Sequence, residues 1–164
     1  MKNFLFVLFI LFNTVVHAQW THYTVENTTK YFKGNLIKSI TSDSKGNMWF
    51  GTDMGLVKFD GQNWTPYLEN VSIRGVEKDA LGNLWVGTFG NGVYKYDGTW
   101  TRYTKQNGLL DNKIWSLAID SKGYKWFATE LGVAIRPHGF GSNLVRLSPR
   151  LIRCGLGFHR LSSL

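Results

Sequence analysis

At 164 residues the chain has room for one domain with a real core and too little for two of comfortable size. Its formal charge of +8 lies mostly outside the middle: from Gln19 to Glu130, 13 Lys and Arg face 11 Asp and Glu, whereas the last 34 residues hold five Arg and no acid. A nearly neutral middle argues against a polyanion-binding face, so no nucleic-acid partner is expected, and the single Cys154 excludes an internal disulfide or a thiolate metal cluster.

Lys2 is followed by the apolar run Phe4 to Phe12 and then Thr14-Val15-Val16-His17-Ala18, with small or β-branched residues before a cut after Ala18. Residues 1–18 thus read as a secretory signal peptide, and the mature chain is expected to be periplasmic or secreted. The competing reading, an uncleaved anchor, needs roughly 20 apolar residues. Phe4 to Ala18 offers 15, with Asn13 and His17 among them, and no later stretch could cross a membrane.

Residues 19–135 are built on a repeat. Asp43-Ser44-Lys45-Gly46-Asn47-Met48-Trp49-Phe50-Gly51-Thr52 returns 36 residues on as Asp79 to Thr88, and 41 residues further on, eroded, as Asp120 to Thr129. A second mark, Trp20-Thr21-His22-Tyr23-Thr24, recurs as Trp64-Thr65-Pro66-Tyr67 and Trp100-Thr101-Arg102-Tyr103-Thr104, and its alternation is that of a short strand. Upstream of each Asp an apolar run holds Ile37, Ile73 and Ile114 in register, with Ser39, Gly75 and Ser116 always small, which suggests closely approaching backbones on an innermost strand. Asp and Gly make the connection into Met48 to Thr52, and further Gly turns lead to Leu56 to Phe59, Val93 to Tyr96 and Val133 to Ile135. Two of these end in hairpin signals, Asp60-Gly61 and Asp97-Gly98.

The unit is therefore four short strands in about 36 to 44 residues, the size of one β-propeller blade. An all-β fold of about three such blades is expected, an incomplete ring, since closed rings take about four to eight. A sandwich or an open meander would use similar strands, but the fixed Trp and Gly marks favour blades. The phase, with Trp20 to Thr24 as an outermost strand and Val133 to Ile135 as a third one, is that of a ring closing by a blade split between both chain ends.

After Ile135 the marks stop. Residues 136–164 form a basic, irregular tail without Trp, Tyr, Lys, Asp or Glu, a shift that predicts a frameshifted or truncated gene end; resequencing the locus and finding no out-of-frame Trp-Gly-Thr repeats downstream would refute this. A basic amphipathic tail touching a membrane is the alternative, though Pro149 interrupts the helix it needs.

With these marks in place, the repeats resemble the two-component regulator propeller repeat of bacterial sensor proteins. The resemblance rests on Ile40-Thr41-Ser42-Asp43-Ser44-Lys45-Gly46-Asn47-Met48-Trp49-Phe50-Gly51-Thr52-Asp53-Met54-Gly55-Leu56 with Phe59-Asp60-Gly61, on Val76 to Gly98, and on Leu117 to Val133 with Tyr124 and Ala128 replacing Asn and Gly. It implies an exported ligand-sensing module of the kind found in hybrid sensor kinases, here without an output domain of its own, and a carbohydrate as ligand. A loose similarity to streptogramin lyase, another propeller, keeps an enzymatic reading as a rival, yet no counterpart of its catalytic histidine is visible among His22, His138 and His159. No catalytic residue, metal ligand or cofactor is assigned.

Candidate ligand-binding residues lie where the copies differ. Five residues before each Asp stand Lys38, Arg74 and Trp115 on the inner strand, able to hold a sugar by stacking and hydrogen bonds. Just after each Thr mark stand Asp53, Phe89 and Glu130. Solvated strand ends are the plain alternative for both sets. The repeat Trp read as blade core, and the Asp43 loop as a turn, since it lacks the alternating acids of a calcium loop. Expected partners are an oligosaccharide or other small extracellular ligand, or a second chain through self-association or blade pairing at open edges. A structural or interaction module and a nonfunctional gene remnant are the alternative functions.

Overall fold

The computed structural model describes residues 20–24, 26–28, 34 and 36–137. The expected leader and all but the first two residues of the expected tail lie outside them.

The fold is all-β. The first sheet is a meander of β1 (Ile37–Ser42), β2 (Met48–Thr52), β3 (Leu56–Phe59) and β4 (Trp64–Tyr67). The second repeats it with β5 (Ile73–Lys78), β6 (Leu84–Thr88), β7 (Val93–Tyr96) and β8 (Trp100–Tyr103). The third has three strands, β9 (Ile114–Ile119), β10 (Lys125–Thr129) and β11 (Gly132–Arg136). All pairings are antiparallel, and β5 lies beside both β1 and β9, so the first strand of each blade is the innermost. Among the described residues the sheets do not close into a ring.

One clasp explains why the Asp-to-Thr stretch recurs. Oδ1 of Asp79 accepts the backbone N–H of Leu81 at 3.1 Å and of Asn83 at 2.9 Å, and Oδ2 accepts Asn83 Nδ2 and the Trp85 indole N–H, each at 3.0 Å. Asp43 does the same with Lys45, Asn47 and Trp49. Gly46 and Gly82 close these turns at φ of 83° and 84°, where a side chain would be strained. In the third copy Tyr124 replaces Asn; its backbone still donates to Asp120, and the side-chain amide bond is lost. The turn thus binds the next strand's Trp by its indole and fixes how the ring enters the core.

That core lies between blades rather than within them. Trp49 and Leu56 of the first blade pack with Ile73, Val76, Leu84 and Val86 of the second. Trp85 and Val93 of the second pack with Ile114, Leu117 and Phe127 of the third. Each such buried side chain contributes about 1.5–3 kcal/mol. The glycine of the Trp-x-Gly mark lets the blades meet: a Cβ on Gly51 would stand 2.6 Å from Ile73 Cγ2, and one on Gly87 2.8 Å from Ile114 Cγ2. The small inner-strand position acts the same way. Ser39 Oγ accepts the Val76 N–H at 2.9 Å across the blade boundary, and Gly75 faces Leu117.

Three expectations need correction. Trp20 to Thr24 is not a strand: Asn27 accepts the Thr24 N–H and donates to the His22 carbonyl, so a local turn consumes the groups a ladder would need. Tyr23 instead packs on Phe59 and Trp64, and among the described residues the third sheet receives no strand from the N-terminal side. Not every repeat Trp is core: Trp49 and Trp85 are 1% and 2% exposed, but Trp126 is 40% exposed and Trp20 lies in solvent. Arg136, assigned above to the tail, ends β11 and lays its guanidinium 4.5 Å from the Tyr103 ring centroid.

Candidate functional site

The inner strands share an irregularity that periodicity does not reveal. In the first blade Ile37 pairs with Thr52 and Ser39 with Gly51; in the second Ile73 pairs with Thr88 and Gly75 with Gly87; in the third Ile114 pairs with Thr129 and Ser116 with Ala128. Lys38, Arg74 and Trp115 are therefore each the extra residue of a β-bulge. A bulge removes its residue from the ladder and re-aims its side chain, which is why bulges gather beside binding sites.

Arg74, Trp115, Phe89 and Glu130 come together. The Arg74 guanidinium lies 4.6 Å from the Phe89 ring centroid and 5.2 Å from that of Trp115, and the two rings meet edge to face at 5.0 Å. Trp115 remains 48% exposed. Nε of Arg74 is buried without a hydrogen-bond partner. Glu130 reaches the cluster through Lys113, whose ammonium donates to Oε2 at 2.8 Å and stands 5.9 Å from the Phe89 centroid. That hydrogen bond and the Glu130 charge raise the Lys113 pKa above its ordinary value.

The Thr mark builds the loop that presents Phe89. Thr88 Oγ1 donates to the Gly92 carbonyl at 2.7 Å and accepts the Asn91 N–H, while the Phe89 N–H bonds the Ser72 carbonyl and Phe89 bridges to Lys113. Gly90 and Gly92 both donate to the Asn112 carbonyl, tying this loop to the approach to the third blade. The loop spans a blade boundary, so Phe89 of one blade can touch Trp115 of the next.

No hydrogen bond, ion pair or ring contact among the described residues joins Lys38 or Asp53 to this cluster. Lys38 occupies the equivalent bulge on β1. Asp53 lies under Gly34, where an added Cβ would come within 2.2 Å of Oδ1, and that oxygen is buried without a hydrogen-bond partner. Lys113 was not visible as a candidate, because it sits in the variable approach to β9 and carries no repeat mark. Its position immediately before the strand that bears Trp115 was the available signal.

The family described as two component regulator propeller matches residues 31–54 and 67–90, segments that each carry an inner strand, a clasp and a Trp strand. Among solved structures, the extracellular domain of BT4673 from B. thetaiotaomicron, a protein ascribed to one-component or hybrid two-component signalling, is similar at 29% identity and TM-score 0.54, covering 63% of this chain and 16% of that one. PorZ, a surface component of the type-IX secretion system of Porphyromonas gingivalis, is similar in fold at 23% identity and TM-score 0.54, covering 62% of this chain and 17% of that one. Streptogramin B lyase is similar in fold at 17% identity and TM-score 0.50, covering 65% of this chain and 39% of that one. This chain thus spans about a sixth of the length of the first two. No curated protein sequence matches it.

Proposed function

Because the chain carries two-component regulator propeller repeats, related to the extracellular sensor domains of two-component systems, we propose that it is an extracytoplasmic ligand-binding module whose ligand is an oligosaccharide. The observation that carries this reading is the bulged inner-strand position: Lys38, Arg74 and Trp115, where the copies differ, stand where the backbone turns a side chain out of the ladder. A guanidinium laid over two rings is pre-organised, its planar fork offers several donors to sugar hydroxyls, and an exposed indole suits the apolar face of a pyranose. The buried Arg74 Nε without a partner supports a ligand-facing role, since such groups are costly unless something satisfies them. Lys38 and Asp53 would extend the same surface over the first blade. An extracytoplasmic location is supported by the relatives' extracellular domains and by the leader-like sequence of residues 1–18.

Binding of the purified chain to a panel of oligosaccharides tests the proposal. At least one class is retained, and Trp115→Ala weakens it by tenfold or more. No binding across the panel, or binding that Trp115→Ala leaves unchanged, refutes it. The likeness to streptogramin B lyase is one of fold and supports no reaction here.

A further inference from the structure

The interface between blades is built twice, and both of its halves are presented a third time without a partner among the described residues. On the outgoing side Trp49 and Trp85, with Leu56 and Val93, are buried by the following blade. Their third-blade equivalents, Trp126 and Val133, are exposed. On the incoming side Val76 is 1% exposed against the first blade, and Leu117 is likewise buried against the second; their first-blade equivalent, Ile40, is 56% exposed, and Ile37 is uncovered where Ile73 and Ile114 are fully buried. The outgoing face of the third blade and the incoming face of the first are therefore the two halves of an interface whose geometry the molecule already shows.

We propose that two copies of this chain pair head to tail through these faces, the Ile37 and Ile40 face of each seated on the Trp126 and Val133 face of the other. Two arcs of the three described blades make a ring of six, within the range of about four to eight that closes. The contact is heterologous, and a two-fold axis through the ring's centre forms it twice and leaves no face over. This inference is independent of the ligand reading, since it uses none of the residues of the Arg74 cluster.

One residue makes the new contact differ from its models. Ala128 stands where Gly51 and Gly87 admit an isoleucine methyl, and at those glycines a Cβ would lie 2.6 and 2.8 Å from that methyl. The second copy must therefore sit a few tenths of an ångström further out, or Ile37 must turn, so the closing interface is looser than the two within the chain.

The test is the mass of the full chain, expressed for export, by light scattering across micromolar concentrations. A species of two chains is expected. A single-chain mass throughout, or a ladder of larger masses, overturns the proposal. Ile40→Asp and Val133→Asp, both at exposed positions, each give single chains; mixed in equal amounts they recover a two-chain species, because the mixture retains one intact face of each kind. A Val133→Asp variant that still pairs with itself would mean a like-to-like contact and overturn the head-to-tail geometry. Ala128→Gly tightens pairing by tenfold or more, and weaker pairing in that variant also counts against it.

Discussion

Asp79 and Asp120 carry the same side chain in equivalent turns, yet they face different surroundings. Asp79 is buried, and besides its own clasp it meets the Lys125 ammonium of the next blade at 3.5 Å, itself buried over the Trp85 ring. Removing one partner of such a pair strands the other in a dry site, so Asp79→Ala should lower unfolding free energy by about 3 kcal/mol or more. Asp120→Ala, which releases the half-exposed Trp126, should cost less; denaturant titration of both variants checks the order. Burial would raise the Asp79 pKa, but the Trp85 indole, Asn83 and the Lys125 charge outweigh it, and the net shift is downward, as it is for Asp43. For Asp120 the indole of Trp126 leads the lowering. Carboxyls whose folded-state pKa lies below the unfolded 3.8 add stability above that value and lose it as pH falls through the folded one. The melting temperature should therefore hold from neutral pH to about 4 and drop below it, and a drop that begins near pH 6 would contradict the clasp as the acid-sensitive element.

At the scale of the strand, what repeats and what varies divide the labour. The bounds of β2, β3, β4 and β6 follow from the Asp, Trp, Gly and Thr marks alone, because each mark is a local requirement: a carboxylate to cap a turn, an indole to be capped, a residue without Cβ where the next blade touches. Gly87 shows how strict the last of these is. Gly87→Ala would press a methyl to 2.8 Å from Ile114 Cγ2 and 3.0 Å from Leu117 Cδ2, and overpacking of this kind costs about 1–3 kcal/mol, measurable as an equal loss in denaturant titration. The candidate set was legible for the same reason in reverse, since Lys38, Arg74 and Trp115 break the pattern. What stayed hidden is tertiary. The bulge depends on pairing register, Lys113 reaches Glu130 over 17 residues of chain, and Trp20 reads as a strand residue only until the Asn27 turn is seen to use its neighbours' backbone.

At the scale of the molecule, the three blades of the described residues stand side by side in an arc with a shared inner edge. The inner edge gathers the residues that differ between repeats, and the ends of the arc expose the residues that agree with buried ones. The two proposals thus draw on different residues: ligand binding on the Arg74 cluster at the second and third bulges, and pairing on Ile37, Ile40, Trp126 and Val133. The repeat count alone indicates an open ring, but only the burial of one blade's Trp against the next shows which faces the opening leaves uncovered.

Under the proposed function, the variable inner-strand position, and not the repeated Trp, carries recognition. Calorimetric titration of an oligosaccharide retained from the panel into the wild-type chain, into Arg74→Gln and into Trp115→Ala, with the melting temperature of each recorded beside it, tests that claim most directly. The expected result is affinity reduced by tenfold or more in both variants with melting temperatures within a few degrees of wild type. Undiminished affinity in both would contradict it.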